Sequence, residues 1–247
     1  MKKISTIILM FISIVGFSQN DSISNLPMNT ADNMMSSDNK LTIGGYGQVD
    51  YNQPLNSETH QNGNLDVHRL VMLFGYKFDK RTSFITEIEF EHVKEVYIEQ
   101  AFLNYKINDY INFRGGLLLV PMGIINEYHE PPSFNGVERP NLDKIIVPTT
   151  WREIGAGFTG RFNNIGLKYQ LYVMNGFSSY TGGEAKLSGT KGLRSGRQKG
   201  AESFMSSPSF SGKLDYYAIR GLKIGLSGYY GNTNSDSYDG LDKADNN

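Results

Sequence analysis

The sequence predicts an all-β protein: a transmembrane antiparallel β-barrel with a long third loop folded into its lumen. Three observations carry that expectation. From Leu41 onward the dominant hydrophobic period is two, in stretches of about ten residues separated by turn residues. Short turns and longer loops alternate between those stretches, and only Glu91–Glu95 breaks the rhythm. Finally, Pro121–Glu153 holds five of the chain's eight prolines, so neither helix nor strand can run through it. It also carries Met122, Ile124, Ile125, Phe134, Ile145, Ile146, Val147 and Trp151, which marks a loop that folds back on its own protein.

Composition agrees. The chain has 247 residues, with 24 basic against 25 acidic, a balance that gives no reason to expect nucleic acid as a partner. Its 27 glycines, 15 tyrosines and 14 phenylalanines favour strands and tight turns. With no cysteine there is neither disulfide nor thiolate metal site, and no cofactor is expected.

The N-terminus predicts export. Lys2 and Lys3 precede an apolar run from Ile7 to Phe17 that ends beside the small residues Gly16 and Ser18, the pattern of a signal peptide over residues 1–18. The run is too short to span a bilayer as a helix, which takes about 20 residues. Residues 19–40, polar and rich in Asn, Asp and Ser, read as a disordered leader. The remainder, 41–247, reads as barrel.

Strand one, Leu41–Tyr51, alternates Leu41, Ile43, Gly45, Gly47 and Val49 against Thr42, Gly44, Tyr46, Gln48 and Asp50. In strand two, Leu65–Phe78, one face reads Leu70, Met72, Phe74, Tyr76 and Phe78, and the other includes Arg69, Gly75 and Lys77. The turn Asp79-Lys80-Arg81 leads to strand three, with Phe84, Thr86, Ile88 and Phe90 opposite Glu87, Glu89 and Glu91. Strand four, Val96–Ile107, sets Tyr97, Ala101, Leu103, Tyr105 and Ile107 against Gln100, Asn104 and Lys106, although Glu99 falls on its apolar side and Phe102 on its polar side. Strand five, Ile111–Val120, opposes Phe113, Leu117 and Leu119 to Asn112 and Arg114. After the long loop, strand six, Glu153–Phe162, has Ile154, Ala156 and Phe158 against Glu153, Thr159 and Arg161. A two-residue turn at Asn163-Asn164 gives strand seven, Ile165–Val173, with Lys168 and Gln170 on its polar face. Strands eight, Phe210–Ala218, and nine, Leu222–Tyr230, follow a second long connection, and Gly231–Asn247 is a polar run with no strand after it.

Large apolar groups on one face and charge on the other fit a wall with lipid outside and water inside. A small soluble barrel reverses the two faces, and periodicity alone does not separate these cases. Aromatics near strand ends (Tyr76, Phe78, Tyr97, Tyr105, Phe162, Tyr229 and Tyr230) favour the membrane, where they form interfacial girdles. Nine strands with an open edge would expose unpaired backbone to lipid, so the chain is expected to be the N-terminal portion of a longer barrel.

Certain residues are familiar. Gly116-Leu117-Leu118-Leu119-Val120-Pro121-Met122-Gly123 resembles the strand-to-loop corner of the phosphate-selective porin O/P family. Glu138-Arg139 is similar to that family's Glu-Arg pair, and Pro148-Thr149-Thr150-Trp151-Arg152-Glu153-Ile154-Gly155 to its return into the next strand. Glu95–Tyr105 fits its pattern of tyrosine and acidic residues on the preceding strand, and the signal ending Phe17-Ser18-Gln19 resembles those of Bacteroidota. The resemblance is specific over residues 95–162. It implies a homotrimeric outer-membrane porin of sixteen strands, about nine of them present here, in contact with outer-membrane lipid and lipopolysaccharide. It implies passive diffusion of small hydrophilic solutes or ions, among them phosphate or other anions, past a constricting third loop. The family's stacked basic residues cannot be placed on this sequence.

The candidate constriction is Glu138, Arg139, Lys144, Arg152 and Glu153, with Glu127 and Glu130 beside them. Salt bridges pinning the loop to the wall are the plainer role for the same residues. Expected pore-lining residues are Arg69, Lys77, Glu87, Glu89, Lys106, Arg114, Arg161 and Lys168, a mixed set that suggests weak selectivity. Lys186, Lys191, Arg194, Arg197 and Lys199 form a basic loop that is solvated or meets lipopolysaccharide phosphates. Glu127-Tyr128-His129-Glu130 contains one His without a second at ligand spacing, which argues against a metal site. Two alternatives stay open. One is a secreted soluble β-barrel holding a small ligand. The other is an outer-membrane lipid hydrolase, disfavoured because no Ser neighbours the outward-facing His68, so no enzyme is expected.

Overall fold

The computed structural model describes residues 28–55, 62–133, 139–143, 147–189 and 192–236. The signal peptide, Glu138, Lys144, Lys191 and the end of the polar tail lie outside the described residues.

Nine strands form one antiparallel sheet. They are β1 (Leu41–Asn52), β2 (Asn64–Lys77), β3 (Thr82–Glu91), β4 (Glu95–Lys106), β5 (Asn112–Leu119), β6 (Arg152–Phe162), β7 (Leu167–Met174), β10 (Ser209–Tyr216) and β11 (Ile224–Tyr230). Each pairs with the next in that order, as a run of hairpins must. The sheet is open: β1 and β11 are its edges and are not paired to each other among the described residues. Inside the 175–208 connection lie two short strands, β8 (Ser178–Thr181) and β9 (Glu184–Ala185). β8 also pairs in parallel with β12 (Asn234–Ser235), so the tail expected to have no strand supplies one.

Turn chemistry sets one rim. Between β2 and β3 the Asp79 carboxylate accepts from the backbone N–H of Arg81 at 2.7 Å and of Thr82 at 2.8 Å. The β6–β7 turn is wider than the expected two residues. Ile165 N–H bonds Phe162 O at 3.2 Å and Gly166 turns the chain at φ 62°, so pairing resumes only at Leu167. Aromatic side chains gather at this rim: the rings of Tyr110 and Phe162 stack at 5.5 Å, those of Phe162 and Tyr169 at 5.9 Å, and Tyr76 meets Phe78 edge-on at 5.1 Å.

The pleat sorts the side chains as the alternation predicts, with one correction. On the bare face Ile43, Leu70, Met72, Leu103, Phe158, Leu171 and Leu214 are exposed. On the covered face Arg69, Glu87, Glu89, Arg114, Thr159, Lys168, Gln170 and Lys213 are buried. The apolar side of the sheet is thus the accessible one. β4 is the exception, and a β-bulge explains it. Glu87 pairs with Gln100 but Ile88 with Ile98, so Glu99 is an extra residue on β4. Glu99 and Gln100 are both buried, and the parity flips across them. Val96 and Ile98 therefore face outward, while Tyr97 points inward, its ring 5.7 Å from the Arg152 guanidinium. Tyr229 leaves the expected girdle too, packing 5.0 Å from the Trp151 ring on the covered face.

The leader expectation also needs correcting. Thr30–Ser36 is a helix, α1, whose N-terminus is capped by the Asn29 side chain accepting from Asp32 N–H at 2.9 Å. Ala31 and Met34, three residues apart and so on one face, bury against Val71, Leu73 and Ile85 of β2 and β3. Burial supplies the order that its polar composition hides.

Candidate functional site

α1 and the Pro121 loop both lie on the covered face, and the loop is tied at its neck. Val120 N–H bonds Trp151 O at 2.9 Å. The buried Asn126 amide donates to Val120 O at 2.6 Å and to Trp151 O at 2.8 Å, and its oxygen accepts from Trp151 N–H at 2.7 Å. One side chain thereby closes a loop of some two dozen residues onto itself. The loop then crosses to the far strands: Gly123 N–H donates to Ser227 Oγ of β11 at 3.2 Å, and Lys213 Nζ of β10 donates to Gly123 O at 3.0 Å. Trp151 stacks on Phe177 with ring centroids 4.3 Å apart.

A basic wall follows the sequence of strands. Arg114 comes from β5, Arg161 from β6, Lys168 from β7 and Lys213 from β10. Two carboxylates from the inserted segments sit against it. Asp32 of α1 accepts from Arg114 Nη2 at 3.0 Å and from Lys168 Nζ at 3.1 Å, and it also contacts Arg161 Nη2. Glu127 of the loop accepts from Lys213 Nζ at 2.6 Å and Gln170 Nε2 at 2.5 Å. Burial pushes the Glu127 carboxyl up, but Lys168 and Lys213 outweigh it and hold it below the usual carboxylate range.

An acidic wall stands on β3 and β4. Arg69 Nη1 pairs with Glu89 at 2.8 Å, Gln100 donates to Glu87 at 2.6 Å, and Arg152 Nη1 pairs with Glu99 at 2.8 Å. His129 of the loop lies between, its Nδ1 3.2 Å from Asn126 O and its Nε2 3.9 Å from Glu87. Burial, aided by the Arg139 charge, drives the His129 pKa down to about 3 and keeps the ring neutral. Basic groups thus dominate one side of the covered face and carboxylates the other, an arrangement that sets a field across the space between.

All eight expected pore-lining residues fall on the covered side or at its short-turn rim. There Lys106 pairs with Asp109 at 2.7 Å, and Lys77 Nζ donates to Ser37 O. The expected constriction is divided. Arg152 is buried against Glu99 rather than Glu153. Glu153 accepts from Trp151 Nε1 at 3.1 Å, Asn175 Nδ2 at 2.8 Å and Gln198 N–H at 3.1 Å. Both residues therefore pin the loop. Arg139 lies among Arg69, Glu89 and Glu99, where burial first and then Arg69 lower its pKa. The basic loop is more tied down than expected, since Arg194 and Arg197 both donate to Thr149 O, at 2.6 and 2.8 Å. His68 is bonded through Nδ1 to Asp50 at 2.7 Å.

Lys213 and Asp32 escaped the sequence reading. Lys213 was legible, because Phe210, Gly212, Leu214 and Tyr216 alternate around it. Asp32 was not, lying in a polar stretch with no period.

No protein-family model matches the chain. An uncharacterized protein of Aquifex aeolicus (strain VF5) is 39% identical over 196 residues, which is 76% of this chain and 43% of that protein. The chain therefore spans less than half the length of this curated relative. Among solved structures, a loop-deletion mutant of OmpT, an outer membrane protein of Vibrio cholerae, aligns with a TM-score of 0.32 and 10% identity, covering 78% of this chain and 70% of that one.

Proposed function

We propose that the chain forms part of the wall of an outer-membrane porin, through which small hydrophilic solutes or ions diffuse passively. The observation that carries this is the inversion of the sheet: its exposed face is apolar and its buried face is charged. In water the exposed side chains on nine strands would be an unusually large apolar surface. In lipid they are the expected outer band, and the aromatic cluster at the short-turn rim takes the place of one interfacial girdle. The unpaired edges of β1 and β11 support closure by further strands, in line with the sixteen of the porin O/P family that residues 95–162 resemble. The Pro121 loop, crossing the covered face, supplies the constriction.

The reading is tested on the full-length protein in planar bilayers. It predicts ohmic conductance steps, and it predicts that Lys213→Glu shifts the zero-current potential in a salt gradient toward cations. A protein that stays monodisperse without detergent and gives no steps would overturn it in favour of a soluble ligand-binding barrel.

A further inference from the structure

The Asp32 seat is charge-unbalanced in a way that a structural ion pair is not. Three cations from three adjacent strands meet at Asp32, with Arg114 at 3.0 Å, Lys168 at 3.1 Å and Arg161 in contact, while the next carboxylate, Glu127, stands 3.9 Å from Lys168 and has Lys213 as its own partner. The seat is also preset. Asn104 Oδ1 accepts from Arg114 Nε at 3.0 Å and the guanidinium lies 5.2 Å from the Phe102 ring centroid, so the wall itself orients the fork that faces Asp32. A cavity of about 870 Å³, lined by eight basic and four acidic residues, runs from the short-turn rim to this point. At its rim Lys40, Lys77, Lys80, Arg81 and Lys106 outnumber Asp38, Asp79 and Asp109, a net positive mouth that favours the entry of anions.

α1 by contrast is weakly built. Seven residues are too few to hold a helix in water, so it exists only while docked. Its hold is short: Ala31 and Met34 are buried with Met35 packed beside them, Thr30 bonds Glu130, Lys77 bonds Ser37 O at its end, and Asp32 meets the basic wall.

We propose that α1 is a tethered plug whose Asp32 carboxylate occupies a seat for a small oxyanion. Carboxylates or phosphate arriving through the basic cavity compete for the three cations and release the segment. The consequence for conductance rests on the porin reading, but the competition does not.

The chain has no cysteine, so single thiols report cleanly. Ala31 is 2% exposed, and Ala31→Cys places a thiol under the docked helix. In detergent-solubilised full-length protein, its reaction with a small maleimide should be slow in chloride. Succinate or inorganic phosphate at matched ionic strength should raise it several-fold. Adding Asp32→Asn should make it fast in chloride and insensitive to either anion. If chloride accelerates labelling as much as the oxyanions do, or if none of them does, the seat is overturned.

A lock gives the second readout. A Cβ on Gly75 would lie 3.6 Å from Met34 Cβ, within disulfide range, so Met34→Cys with Gly75→Cys can be oxidised in place. In planar bilayers the oxidised form should ignore succinate and phosphate, and the reduced form should respond to them. Equal conductance of the two forms overturns the plug and leaves the porin reading standing. Labelling that responds to anions in a protein that never conducts supports the seat and overturns the porin reading.

Discussion

At the scale of single residues, polar side chains buried under α1 and the loop decide what stays in place. Asn126 satisfies two backbone carbonyls and one N–H at the loop's neck. Asn126→Ala leaves the Trp151 N–H unpaired, while Val120 O and Trp151 O each keep a backbone donor, and should destabilise the protein by about 2 kcal/mol, measured by denaturant unfolding. Asp32 responds to pH in a defined direction. Burial raises its pKa, but Lys168, Arg114 and Arg161 outweigh burial and hold it well below the carboxylate range. Docking is then fully stabilised above the unfolded value of about 3.9 and is lost only as pH falls through the depressed one. Protection of Ala31→Cys should therefore persist at about pH 4.5, and loss of protection there would contradict the seat. His129 works in the same direction over a higher window. Neutral in the fold down to about 3, it withdraws stability as pH drops below its unfolded value near 6.5. His129→Gln should flatten the acid limb of a stability–pH curve.

At the scale of elements, the β4 bulge and the β5 glycine corner position the site. The bulge turns Glu99 inward, where it is the buried partner of Arg152. Glu99→Gln strands that guanidinium and should cost about 3 kcal/mol in the same unfolding assay. Gly116 sits at φ +141°, and a Cβ there would lie 2.3 Å from Ala101 O of the paired strand. Gly116→Ala should therefore break β4–β5 pairing, seen as loss of protease-resistant folded protein. The nine strands of the main sheet were legible in the sequence because alternation is local, and their ends shift by no more than two residues, whereas the short β8, β9 and β12 carry too few residues to show a period. The bulge showed itself only as Glu99 on an apparently wrong face, whereas Phe102 is on the covered face as its parity gives. Choosing between an irregular strand and a parity flip required the register with β3, a non-local fact.

At the scale of the whole molecule, the proposed porin rests on an apolar outside and a charged inside, and one substitution separates it from a soluble barrel. Leu171 is 59% exposed in mid-strand on the bare face. Leu171→Arg should cost about 2–4 kcal/mol in lipid vesicles if that face meets hydrocarbon, and next to nothing if it meets water. The sequence by itself determined the strand-rich class, the order of the long hairpins, the two faces of every long strand but β4 and most of the inward charges, because a period of two and turn residues act between near neighbours. Only the tertiary structure decided which charges meet. The 82 residues separating Asp32 from Arg114 leave no periodic trace, and the order of Thr30–Ser36 exists only where the sheet buries Ala31 and Met34. Arg152 likewise found Glu99, 53 positions away, instead of its neighbour Glu153, whose carboxylate is taken up by Trp151, Asn175 and Gln198.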